Sequence, residues 1–145
     1  MKVDFYQLAR LPAEQVIANL SEKVLAAEGR LIVVAEDENF LARLDRMLWD
    51  QGPTSFLPHG LSGGADDSRQ PILLSASTDA PNLARNMLIV DDVWRDAALT
   101  YDRALYLFDG TNLKAARATW KALAAHDGVE RRYSAREGGK SVEKG

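Results

Sequence analysis

Cysteine is absent from this chain of 145 residues, and histidine occurs only twice, as His59 and His126. The missing thiols exclude disulfide bonds, zinc sites with cysteine ligands and a cysteine nucleophile. Ser55 and Ser62 lie near His59, but neither stands in the strand-to-helix turn that exposes a catalytic serine. The sequence therefore disfavours an enzyme, and we expect neither a metal nor a cofactor.

Long hydrophobic runs are also missing. The longest, such as residues 31–35 and 87–90, are far shorter than the roughly 20 residues that a membrane span needs. Residues 1–8 include Lys2 and Asp4 and lack the apolar stretch of a secretory signal. We therefore expect a cytoplasmic protein without a membrane partner.

Charge is unevenly distributed along the chain. The formal net charge is −3, but residues 113–145 contain eight Lys or Arg against four Asp or Glu. That segment carries +4, which leaves −7 on residues 1–112. A basic end on an acidic body favours an anionic partner at the C-terminal end, whereas the rest of the surface would repel the phosphates of duplex DNA. We expect contact with DNA to be indirect.

Hydrophobic periodicity predicts alternating strands and helices. Residues 1–6 and the β-branched run 31–35 indicate strands, and apolar residues at helical spacing from Ala13 indicate a helix that ends at Gly29 in a left-handed cap. A second helix follows residues 36–38. The pattern predicts further strands at 72–75, 87–90, 104–108 and 129–134, and helices at 97–104 and from Thr111 or Asn112 to about His126.

This order of elements predicts an α/β fold. We expect a Rossmann-like domain of three layers, with a mostly parallel central sheet, helices on both faces and no P-loop. The domain should span residues 1–134, and residues 135–145 should form a charged C-terminal tail.

Carboxylates at strand ends offer one route to an enzyme. Glu36, Asp37 and Asp91 follow buried strands, where α/β enzymes often place catalytic groups, so a small nucleotide-dependent enzyme is the alternative function. Acidic residues are also favoured at helix N-termini, where they cap the helix. We prefer this capping interpretation for residues 36–38 and for residues 91–92. The glycine-rich stretch 60–67 has no lysine and contains two aspartates, which disfavours phosphate binding.

Two features point to a binding function. On the last helix, Lys114, Arg117 and Lys121 share one face and Trp120 adjoins it. This arrangement favours a pocket for an acidic peptide with a hydrophobic end over a merely solvated face.

The other feature is a pair of aromatic residues, Trp49 and Phe56, at the end of a helix and in the following loop. Their side chains either fold back onto the core or face a partner.

The ordered motifs resemble a known family. They are the opening Met-Lys-Val-Asp-Phe-Tyr, the junction 34–38, the helix end 48–49 and the loop 55–61, Ser-Phe-Leu-Pro-His-Gly-Leu. With their spacing, they resemble the chi subunit of bacterial DNA polymerase III over nearly the whole chain. The resemblance implies a non-catalytic accessory subunit that links the clamp loader to single-stranded DNA-binding protein by holding that protein's acidic C-terminal tail.

The resemblance also implies residue roles. Lys114, Arg117 and Lys121 would meet the acidic groups and terminal carboxylate of the tail, and Trp120 would wall the hydrophobic slot. A second surface with Trp49, together with Phe56 and Pro58 of the loop, would bind the psi subunit or a helicase partner. Some family members carry an aromatic pair in the last strand, where this chain has residues 132–133, Arg-Tyr.

Overall fold

A computed structural model describes residues 1–8, 12–50, 58–137 and 140–143, with side chains described up to residue 133 except at 112. In this described part, eight strands and three α-helices follow one another as β1 (Lys2–Gln7), α1 (Ala13–Ala26), β2 (Leu31–Val34), α2 (Glu38–Trp49), β3 (His59–Leu61), β4 (Ile72–Ser75), β5 (Asn86–Ile89), β6 (Arg103–Phe108), α3 (Leu113–Leu123), β7 (Glu130–Glu137) and β8 (Lys140–Glu143). Short 3-10 turns lie at Asp67–Arg69, Asp96–Thr100 and Gly110–Asn112.

All the described strands join one sheet in the order β3-β4-β2-β5-β6-β1-β7-β8. Strands β1 to β7 pair in parallel, and β8 pairs antiparallel with β7. The first strand of the chain therefore lies inside the sheet, between β6 and β7. The expected α/β fold with a mostly parallel sheet is confirmed.

Alternate side chains of β6 point to opposite faces of the sheet and belong to two different core clusters. Leu105 and Leu107 pack in one core cluster with the buried sides of α1 and α2. Tyr106 and Phe108 face the other way and pack with Ala116 of α3. The helices therefore cover both faces, as three layers require. None of the helices in the described residues is both long and apolar enough to span a bilayer.

The left-handed residue at the end of α1 is Glu28, with φ 61°, and the expectation that Gly29 holds this conformation is wrong. The N–H of Gly29 donates to the Val24 carbonyl and that of Glu28 to the Leu25 carbonyl, which is a Schellman motif. A Cβ at position 29 would lie 3.1 Å from Val24 Cγ1 and from Asn86 Nδ2. A glycine therefore suits position 29 because the backbone there passes close to Val24 and Asn86.

Several predicted boundaries differ from the structure. The helix expected over 97–104 is a 3-10 turn, Asp96–Thr100, followed by β6 from Arg103, so that prediction is wrong. The last helix ends at Leu123, before the expected His126. Strand β3 was not predicted, because three residues are too few to show an alternating pattern.

The strand expected over 129–134 is β7, which runs from Glu130 to Glu137; β8 pairs with it only from Ser134 onward, so among the described pairings residues 130–133 have a neighbouring strand on one side, β1. The placement of a domain boundary after residue 134 stays a prediction.

A buried carboxylate ties three neighbouring strands together. Asp4 of β1 is 3% exposed. Its Oδ2 accepts from Arg103 Nε of β6 at 2.7 Å, and its Oδ1 accepts from Arg132 Nε of β7 at 2.9 Å. Both arginine side chains remain partly exposed. The pairing sets one buried carboxylate between two guanidinium groups and so links the first strand to the strands on both sides of it.

We expect Asp4→Ala to lower the free energy of unfolding by about 1–3 kcal/mol, less than for a fully buried pair because both guanidinium groups still reach water. Urea denaturation would measure the change. Asp102→Ala is the matched control, because it removes an Asp–Arg pair, with Arg85, whose two side chains are exposed. Its effect should be too small to resolve, and equal losses in the two variants would contradict this interpretation.

Candidate functional site: a groove along the last helix

A cavity of about 310 Å³ lies between α3 and the sheet face beneath it. Side chains from β1, β6, α3 and β7 line it, and most of them are aromatic or aliphatic: Phe5, Phe108, Leu113, Ala116, Arg117, Trp120 and Tyr133. The cavity therefore has an apolar interior and one cationic member. Such a site can take an apolar group that is attached to an anion.

The aromatic floor follows from strand register. Phe5 stands opposite Tyr106 of β6 and Tyr133 of β7, so the three rings share one face of the sheet. The Phe5 ring centroid lies 5.3 Å from that of Tyr106 and 5.1 Å from that of Trp120, both edge-on. These contacts fix the floor of the cavity before any ligand enters it.

Trp120 forms the wall of the cavity, between buried core and solvent. Its helix neighbours Ala116 and Leu123 are buried, whereas the indole itself is partly exposed. The ring packs edge-on against Phe5 and Tyr133 and lies under the guanidinium of Arg131, whose Cζ is 4.3 Å from the ring centroid. The indole is therefore held in place while part of it stays accessible.

The cationic side chains line an adjoining cavity. This second cavity, of about 620 Å³, is lined by Leu113, Lys114, Arg117, Ala118 and Lys121. It shares Leu113 and Arg117 with the aromatic cavity. We call the two together the α3 groove. The structure thus brings all four residues predicted for the tail site into one groove, with Arg117 at the junction of its apolar and cationic parts.

The phenol of Tyr133 is affected both by burial in the groove and by the charge of Arg117. Burial raises the pKa of its phenol above the ordinary value, and the nearby charge of Arg117 acts in the opposite direction. The hydroxyl donates to Gln7 Oε1 at the end of β1. Sequence reasoning missed Phe5 and Phe108 as site residues, because alternation along a strand predicts burial and does not show which buried rings border a cavity. Tyr133 was named only as the residue at the position of the family's aromatic pair.

The strand-end carboxylates are engaged in structural contacts. Asp37 caps α2 by accepting from the N–H groups of Asn39 and Phe40, as expected. The capping interpretation is wrong for Asp91, which accepts from the N–H of Glu36 and pairs with both terminal nitrogens of Arg95.

Burial raises the pKa of Asp91, but these hydrogen bonds and the Arg95 charge outweigh it and leave the pKa below the ordinary value. No group of three or more His, Asp or Glu side chains able to hold a metal ion occurs among the described residues. Two of the carboxylates named for the enzyme alternative, Asp37 and Asp91, thus take part in structural contacts.

The second predicted surface lies on the opposite edge of the sheet. Trp49 ends α2 and is 53% exposed, and its ring centroid is 4.4 Å from that of His59 on β3. His59 Nε2 lies 3.0 Å from the Asp45 carbonyl oxygen and 3.1 Å from Asp45 Oδ1. Both contacts are with Asp45 of α2, so they anchor the ring of His59 to that helix. Pro58 is partly buried, and Phe56 lies outside the described residues.

Fold and groove together define a class: a parallel-sheet α/β domain with a cationic, aromatic-walled groove along its last helix. The chain belongs to the DNA polymerase III chi subunit family, since residues 1–130 match the family described as DNA polymerase III chi subunit, HolC.

Two similar proteins carry the name DNA polymerase III subunit chi. The chain is 30% identical to that of Haemophilus influenzae over 81 residues, 56% of each chain, and 28% identical to that of Escherichia coli K12 over 76 residues, 52% of each. The chain thus spans about half the length of these relatives.

We expect Arg117→Gln to raise the pKa of the Tyr133 phenol further, because the cation that favours the phenolate is removed. NMR titration of the assigned tyrosine ring carbons would measure it. Lys121→Gln removes the same charge from the other end of the groove and should move this pKa less. An unchanged or lowered pKa in Arg117→Gln would show that Arg117 does not face the aromatic cavity.

Proposed function

We propose that this protein is a non-catalytic accessory subunit of the bacterial DNA polymerase III holoenzyme, which acts in the cytoplasm. It binds the acidic C-terminal tail of single-stranded DNA-binding protein and links that protein to the clamp loader. The observation that carries the proposal is the α3 groove, where a cationic face opens into an aromatic cavity. Family membership supports the same role.

The groove fits such a tail in one direction. The hydrophobic side chain of the last tail residue enters between Trp120 and the floor ring of Phe5. The free carboxylate beside it then meets Arg117, the one cation among the described residues that borders both cavities. Acidic side chains further back along the tail lie along Lys114 and Lys121. A peptide end is preferred because only an end carries a carboxylate next to its final side chain.

Energetics divide between the two parts of the groove. Lys114, Arg117 and Lys121 are exposed, so each ion pair contributes only about 0–1 kcal/mol. Burial of one aromatic ring contributes about 1.5–3 kcal/mol. These contributions are small, so we expect a contact no stronger than roughly micromolar, about −8 kcal/mol, that weakens with added salt. Contacts of this strength form and dissociate readily, which suits a link between moving parts.

A second contact is part of the proposal. Trp49 presents a large apolar surface that the described residues leave half exposed, and its contact with His59 holds the ring in place. We assign this surface to the psi subunit or a helicase partner. Because β3 and β7 lie near opposite ends of the sheet, both partners can bind at once, and DNA is reached only through them.

We expect Arg117→Ala to weaken binding of an acidic peptide that ends in phenylalanine about tenfold, and Lys121→Ala about threefold, because Arg117 faces both cavities. Calorimetric titration gives both values. Lys23→Ala is the control: it removes an exposed cation from α1 on the opposite face, and should leave the affinity unchanged. The tail site is refuted if neither groove variant differs from Lys23→Ala.

We expect Trp49→Ala to abolish binding of the second partner and to leave tail-peptide affinity unchanged, because the two surfaces are far apart. Co-purification with psi and peptide titration of the same preparation would measure both. Leu83→Ala removes another strongly exposed apolar side chain and should affect neither. Loss of both activities together in Trp49→Ala would indicate unfolding of the domain and contradict the assignment.

A further inference from the structure

We propose that Arg131 is a positioning residue for the α3 groove. It holds the Trp120 indole in the orientation that forms the wall of the aromatic cavity. The inference rests on the proposed tail binding for its functional consequence, but the orientation of the ring can be tested without any ligand. Arg131 was not among the residues that the sequence assigned to the site.

Strand alternation places Arg131 beside the ring. In β7, Arg131 stands opposite Val3 and Tyr133 opposite Phe5, so these side chains face α3. Arg132 lies between them and points to the other face, where it pairs with Asp4. Two arginines that are adjacent in sequence therefore perform different tasks.

Arg131 makes two contacts with a single residue. Its Cζ lies 4.3 Å from the centroid of the Trp120 ring, within the range of a cation–π contact. Its Nη1 also donates to the Trp120 carbonyl oxygen at 2.6 Å. The same side chain thus fixes both the backbone and the ring of Trp120.

The end of α3 explains why this carbonyl needs a donor. In a continuing α-helix the Trp120 carbonyl would accept from the N–H of Ala124. Here the N–H groups of Ala124, Ala125 and His126 bond three residues back, to Lys121, Ala122 and Leu123. The tightened last turn passes over the Trp120 carbonyl, and the Arg131 guanidinium supplies its hydrogen bond and a favourable charge at the helix C-terminus.

Three side chains surround the indole from different directions. Phe5 and Tyr133 meet it edge-on, with interplanar angles of 76° and 87°, and Arg131 covers a face. A partly exposed tryptophan near a helix end could otherwise adopt several rotamers. Fixing one of them before binding lowers the entropy lost when a ligand enters.

The described residues that line the two cavities do not include Arg131. Its guanidinium lies over a face of the indole, so its effect on a bound peptide passes through the ring. This separates Arg131 from Arg117, which borders both cavities, and it makes the two roles experimentally distinguishable.

The first test needs no ligand. We expect Arg131→Gln to broaden or shift the Trp120 indole N–H signal in NMR, assigned by its loss in Trp120→Phe, while the signals of the other two tryptophans stay in place. Arg132→Gln is the matched control, because it makes the same change one residue away on the opposite face. An unaltered Trp120 signal in Arg131→Gln overturns the proposal.

The second test measures coupling to the proposed function. We expect Arg131→Gln to weaken the binding of an acidic peptide that ends in phenylalanine by about threefold to tenfold. This is the range expected for the loss of one cation–π contact and one hydrogen bond. In a Trp120→Ala background, Arg131→Gln should leave the peptide affinity unchanged, because the indole through which Arg131 acts has been removed. Arg131→Lys should restore part of the affinity, since it keeps the charge but not the planar fork.

The outcomes separate the two proposals. If the wild-type protein does not bind the peptide, the tail function fails, and the NMR comparison still decides whether Arg131 orders the ring. If wild-type binds but the loss in Arg131→Gln persists at full size in Trp120→Ala, Arg131 acts on the peptide directly and the positioning role is wrong. A lower melting temperature with unchanged affinity would assign it to stability alone.

Discussion

The parallel pairing of β1 with both β6 and β7 is the constraint on which the groove depends. It places the first strand of the chain beside the last parallel one, so Phe5 lies between Tyr106 and Tyr133. Without that register the aromatic floor would not exist and α3 would have no ring to pack its tryptophan against. The salt bridges from Asp4 to both neighbours act on the same three strands from the other face.

One strand therefore contributes both to the charge pairing through Asp4 and to the floor of the α3 groove. Residues 3 and 5 of β1 face α3, whereas Asp4 between them faces the other layer. The same alternation in β7 sends Arg131 and Tyr133 toward the indole and Arg132 toward Asp4. Because the period of a strand is two residues, a slip of one position would exchange the two sets and lose both the charge pairing and the cavity.

Much of this was readable from the sequence, for identifiable reasons. The run 31–35 and the helical spacing after Ala13 are strong local signals, and they predicted the parallel α/β fold. The sequence also predicted the four groove residues of the last helix, because they lie within two turns, where spacing fixes the face: Lys114, Arg117, Trp120 and Lys121.

Phe5 and Arg131 were not predicted as site residues. Their roles depend on pairing between segments more than 120 residues apart, which no local pattern encodes. The left-handed residue was misassigned because Gly29 is crowded by Val24 and by Asn86, and the contact with Asn86 comes from a segment distant in sequence.

The charge distribution sets what such a groove can select. In the proposed function, the net charge of −7 on residues 1–112 would repel an acidic peptide from most of the surface, and the cations of α3 would attract it to one place. Attraction by exposed charges is sensitive to salt and does not distinguish a peptide end from an internal acidic stretch. In the proposed function that distinction comes from the aromatic cavity, which would accept one apolar side chain beside one carboxylate. Selectivity therefore depends on a wall that keeps its position when the cavity is empty, and in this chain a residue of β7 outside the groove holds that wall.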